Sequence, residues 1–125
     1  MGMIINVKCD KCHIDSSYNL GQGFRDGTIE NVLLNFSGDN REIVRQKMEE
    51  NPGWDYEKVL SFCNSCRKMQ ATSVLSVNGE HIIEKCECGG ESMILLDSEA
   101  IYEDRKINCP ICGEELVWAK IGLWD

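Results

Sequence analysis

Eight cysteines set in four close pairs, Cys9/Cys12, Cys63/Cys66, Cys86/Cys88 and Cys109/Cys112, constrain this 125-residue chain more than any other feature. Disulfide frameworks scatter their cysteines, whereas a metal site needs two sulfur donors on one tight turn. A Cys-x-x-Cys knuckle lets both thiolates face one ion while backbone amides beyond the turn hydrogen-bond to the sulfurs. Cys86-x-Cys88 is ambiguous alone, but beside three other pairs at suitable intervals it reads as a fourth metal half-site. Four half-sites make two sites.

Four half-sites can pair in three ways. Glycine after the second cysteine eases the positive φ that such turns often require. Cys88-Gly89 and Cys112-Gly113 have it, whereas Cys12-His13 and Cys66-Arg67 do not and read as less regular turns. Between Cys88 and Cys109 lie 20 residues, a zinc-ribbon interval of about 15 to 20. The favoured pairing therefore joins Cys9, Cys12, Cys63 and Cys66 as one site and Cys86, Cys88, Cys109 and Cys112 as the other, leaving 50 residues between the halves of the first. The rival is nested: 19 residues separate Cys66 from Cys86, also a ribbon interval, and the first knuckle then joins the last. A crossed arrangement is the third.

The segments around the knuckles are strand-like. Residues 3–8, "MIINVK", lead into Cys9; "YEKVLSF" leads into Cys63; "ATSVLSV" and "HIIEK" flank Asn78-Gly79, the two-residue turn of a tight hairpin. "SMILL" follows the third pair and "ELVWAKI" the fourth. Between the first two knuckles the period changes. After the glycine-rich loop "GQGFRDG", Ile29, Val32, Leu33 and Phe36 recur at helical spacing behind Thr28 as N-cap; a second helix is expected from about Arg41 to Glu50, capped by Asp39 or Asn40 and ended by "NPGWD". The expected fold is a β-rich α+β protein of two zinc-ribbon-like four-cysteine units sharing one core: residues 1–78, with a helical hairpin inserted at about 28–51, and residues 79–125.

The four knuckles and their flanking strands, about half the chain, resemble the zinc-ribbon group, and the whole is similar to small uncharacterised bacterial proteins that carry several ribbon knuckles. "CPICG" at 109–113 also resembles the second knuckle of rubredoxins, acidic carriers of one iron on four cysteines; the departure is Cys86/Cys88, since that family uses Cys-x-x-Cys on both sides. The zinc-ribbon resemblance implies two structural Zn²⁺ ions, with iron as the alternative metal. Four thiolates leave no open coordination position, so catalysis is not expected at these sites.

The formal charge is −8, and eight thiolates around two divalent ions would take it to −12, with the 13 lysines and arginines dispersed. That charge opposes a nucleic-acid partner and leaves a protein partner, met through the helical insertion or a sheet face, as the expectation. No stretch reaches membrane-spanning length and the amino terminus lacks a signal-peptide pattern, so the expected location is cytoplasmic, where thiols stay reduced. His13 is expected to face solvent, and His81 has no catalytic companion. "GQGFRDG" is neither a Walker A loop nor a dinucleotide fingerprint. Glu49-Glu50 and Glu114-Glu115 read as solvated surface, Trp118 as core, and Trp124 as a plug folded back onto the body.

Overall fold

The computed structural model describes residues 2–90 and 92–124. Its strands are β1 (Gly2–Cys9), β2 (Ile14–Leu20), β3 (Asp55–Cys63), β4 (Met69–Val77), β5 (Glu80–Ile83), β6 (Met93–Leu95) and β7 (Val117–Trp124). Three helices, α1 (Ile29–Leu33), α2 (Gly38–Glu50) and α3 (Ser98–Tyr102), and one 3₁₀ turn (Phe24–Gly27) complete the elements. The strands form two antiparallel sheets, ordered β2-β1-β7 and β5-β4-β3-β6.

The division expected at residues 78 and 79 falls inside a hairpin, because Val77 pairs with Glu80 across Asn78-Gly79. The first sheet instead joins the two ends of the chain: Lys8 of β1 pairs with Val117 of β7, and Gly2 with Trp124. The sheets are stitched where Gly21, just past β2, exchanges backbone hydrogen bonds of 2.8 and 2.9 Å with Lys58 of β3.

β1 alternates as a half-buried strand should, with Ile5, Val7 and Cys9 facing inward. They pack with Leu20, Leu60, Ala100, Ile101, Ile107, Cys109 and Leu116, so one core draws on both ends of the chain. Trp118 is half-buried against that cluster. A second core holds Val32, Leu33 and Phe36, Val44 and Met48 of α2, and Tyr56, Leu75 and Val77 of the second sheet. Phe36 meets Tyr56 edge-on, ring centroids 6.1 Å apart, and the Tyr56 hydroxyl shares a 2.8 Å hydrogen bond with Ser73.

The helical segment was expected as a hairpin inserted in a first metal unit. It consists of the five-residue α1 and the thirteen-residue α2, and its apolar side covers the second sheet. Thr28 caps α1, its hydroxyl accepting from Asn31 N–H at 3.4 Å. α2 begins earlier than Asp39 or Asn40 would cap it: Ser37 is the N-cap residue, and its hydroxyl donates to Glu84 rather than capping the helix (3.0 Å), beside Asn40 Nδ2 at 2.9 Å from the same carboxylate.

Trp124 is folded back as expected. Its indole Nε1–H donates to Leu20 O at 2.9 Å, and Lys58 Nζ lies 5.1 Å from its ring centroid. The ring crosses Gly2 so closely that a Cβ there would collide with it, which leaves room for glycine alone. No helix among the described residues is long and apolar enough to cross a membrane.

Candidate metal centres

The sheet pairings decide which knuckles meet. β1 ends at Cys9 and runs antiparallel to β7, so the knuckle just before β7 arrives beside the knuckle just after β1. β3 ends at Cys63, which pairs with Met93 of β6, and Asn64 N–H donates to Ser92 O at 3.0 Å, carrying the third knuckle onto the second. The sulfurs of Cys9, Cys12, Cys109 and Cys112 lie within 4.8 Å of one another, as do those of Cys63, Cys66, Cys86 and Cys88. The favoured pairing, first knuckle with second and third with fourth, is therefore replaced by the nested one. The same eight cysteines make two groups of four, redistributed because the terminal strands are partners.

Across the paired knuckles, Cys9–Cys112 sulfurs are 3.6 Å apart, Cys12–Cys109 3.8 Å, Cys63–Cys88 3.7 Å and Cys66–Cys86 3.5 Å. A disulfide would need about 2.05 Å. A tetrahedron of thiolates about 2.3 Å from a central ion has edges of about 3.8 Å, so this is the spacing of a metal cage. Either group could hold a metal ion. Cys9, Cys63, Cys86 and Cys109 are buried, Cys12, Cys66 and Cys112 half-buried, and Cys88 exposed, which makes the second centre the more open.

The sulfurs are electrostatically unequal. Burial pushes the thiols of Cys12 and Cys66 up to about 12. The Cys88 backbone N–H and the Gln70 amide pull Cys86 down to about 6. Cys63 is lowered by the Cys66 N–H, and Cys112 by the Glu114 N–H. The first group thus sets one lowered thiol, Cys112, beside the raised Cys9 and Cys12, and the second sets Cys63 and Cys86 beside the raised Cys66 and Cys88, so each includes a thiol, Cys12 or Cys66, that burial keeps protonated. A divalent ion entering either displaces that proton, and its binding strengthens as pH rises.

All four knuckles use a left-handed residue after the second cysteine: His13 (φ 56°), Arg67 (φ 61°), Gly89 (φ 86°) and Gly113 (φ 79°). The two turns without glycine, expected to be less regular, adopt the same conformation. His13 is exposed and belongs to neither sulfur group; His81 Nδ1 lies 2.8 Å from Ser76 Oγ at the surface. A residue that sequence reasoning missed is Gln70 of β4, whose Nε2 lies 3.2 Å from Cys86 Sγ. Nothing in its local sequence marks it, because its role depends on β4 passing the third knuckle.

No family model, curated protein or solved structure matches the chain. The class that fold and site define is a strand-rich chain with two four-cysteine groups able to bind metal, consistent with zinc-ribbon-like knuckles.

Proposed function

We propose that the protein is an interaction module held together by two structural zinc ions and contacting another protein. The carrying observation is the pair of four-sulfur groups, each within 4.8 Å, with no other residue type among their members. Four thiolates complete a tetrahedral shell and leave no position for substrate, so such centres hold structure rather than catalyse. The first centre is continuous with the first core, of which Cys9 and Cys109 are members. Elemental analysis of native protein purified under reducing conditions is expected to give two zinc ions per chain. One metal, or none, overturns the reading.

The periodic apolar face of the helical segment is not free to make that contact. Val32, Leu33 and Phe36 are buried on the second sheet and Ile29 is half-buried there, which makes that segment a cap. Leu34 and Ile43 stay exposed on the helical segment, and three further exposed apolar side chains gather on β7, where Val117, Ile121 and Leu123 are each more than half exposed on the outer strand of the first sheet. A strand edge of this kind accepts an extended segment of a partner.

One observation favours a second reading, an iron electron carrier at the first centre. The rubredoxin-like knuckle Cys109-Pro-Ile-Cys112-Gly113 stands opposite Cys9-x-x-Cys12, not opposite the shortened Cys86-x-Cys88. The departure from the rubredoxin pattern therefore does not touch this site. Colour separates the two: zinc-loaded protein is colourless, and ferric thiolate is red.

A further inference from the structure

Three knuckles have two residues between their cysteines and the third has one. Around Cys63 the turn closes through Arg67 N–H to Cys63 O at 2.8 Å and Cys63 N–H to Lys68 O at 2.9 Å; around Cys109, Gly113 and Glu114 repeat the pattern at 2.9 and 2.7 Å. Around Cys86 each partner is one residue nearer: Gly89 N–H reaches Cys86 O at 2.9 Å, and Cys86 N–H reaches Gly90 O at 3.2 Å. The turn is the same with one peptide unit removed. At Cys63 the Cys66 N–H stands 3.5 Å from the sulfur and the Ser65 amide also acts on it, whereas at Cys86 the turn supplies the amide of Cys88 alone. Relative to its partner knuckle at Cys63, the shortened turn has one donor fewer.

Gln70 stands where that donor is missing. Its Nε2 is 3.2 Å from Cys86 Sγ and 4.0 Å from Met93 Sδ, so its amide lies between the third knuckle and β6. Its own backbone is held in β4 opposite Ser61 of β3, whose hydroxyl donates to Gln70 O at 2.9 Å. A side chain placed from a paired strand is a fixed donor, and the amide's NH₂ end, not its oxygen, must face an acceptor sulfur.

We propose that Gln70 is a positioning residue of the Cys63/Cys66/Cys86/Cys88 centre, its side-chain N–H replacing the backbone donor that the shortened turn lacks and holding Cys86 Sγ toward the metal. This rests on the metal-binding reading above. Four thiolates around a divalent ion leave two net negative charges on sulfur, and outer donors that withdraw some of that charge and fix ligand orientation strengthen such sites.

The test compares wild type, Gln70→Met and Gln70→Glu in the full chain. Methionine keeps the length without a donor; glutamate keeps the shape and presents an acceptor. Each is loaded with ¹¹³Cd for NMR, where the two centres give separate resonances, and titrated with zinc against a chromophoric chelator. Both variants are expected to bind about 10- to 100-fold more weakly at one centre, glutamate the weaker of the two, and to shift one cadmium resonance while the other stays in place. Unchanged affinity and resonances in both variants overturn the proposal, and so do shifts of both resonances, which show a general loosening of the fold. A wild-type chain that takes no metal at one or both centres defeats the metal-binding reading itself, and the proposal with it, an outcome visible before any variant is compared.

Discussion

His13 and Arg67 hold the left-handed conformation that Gly89 and Gly113 hold in the other two knuckles. For a residue with a Cβ that conformation costs about 1 kcal/mol. His13 is exposed, whereas the Arg67 guanidinium lies 5.6 Å over the Phe62 ring and so recovers part of the cost. His13→Gly is therefore expected to stabilise the metal-loaded protein by about 1 kcal/mol, and Arg67→Gly by less, as read from urea denaturation at constant metal content. Equal stability of the His13 variant and wild type would show that the turn carries no such strain. The glycines after Cys88 and Cys112 thus report the local φ of a turn and say nothing about its partner. Using them to match knuckles led to the adjacent pairing, and the ribbon interval could not correct it, since 19 residues from Cys66 to Cys86 and 20 from Cys88 to Cys109 both satisfy it. The eight cysteines were legible as candidate ligands; their grouping was a property of strand pairing.

Among the elements, those with strong local chemistry were legible. Asn78 and Gly79 both have positive φ, 51° and 79°, as a two-residue turn joining β4 to β5 demands. β2 was missed although Ile14, Tyr18 and Leu20 keep one parity within "IDSSYNL", because its other apolar-face position is a serine and the signal is weak. α3 spans only five residues, too few to show a helical period, and is recognisable chiefly by Asp97, whose carboxylate accepts from Ala100 N–H at 3.2 Å. The stripe Ile29, Val32, Leu33 and Phe36 announced an apolar face without saying what it covers; the second sheet covers it. That leaves β7 as the strand with the most exposed apolar surface on an outer edge. With Val117 and Ile121 both replaced by lysine, the chain is expected to keep both metals but to lose the partner that immobilised wild type retains from an extract. Equal retention by the two places the contact elsewhere.

For the whole molecule, the nested arrangement makes the two centres unequal fasteners. The inner one closes 20 positions from Cys66 to Cys86, the outer one 97 from Cys12 to Cys109. Chain entropy alone makes the outer closure about 1.4 kcal/mol harder. Cys109→Ser is expected to release one of two metals and to raise amide exchange across β1, β2 and β7, while β3, β4 and the Cys63/Cys66/Cys86/Cys88 group keep their protection. Loss of both metals, or exchange rising first in β3 and β4, would show that the two sheets unfold as one. Nesting also imposes an order in time. On a ribosome Cys9 and Cys12 are made first and Cys109 and Cys112 last, so the earliest pair of thiols waits longest for its partners, while the pair at 63 and 66 needs only the chain as far as Cys88. All four cysteines of the inner group are therefore made before the outer group is complete, and the β1–β7 pairing that closes the outer group can form only once β7 has been made.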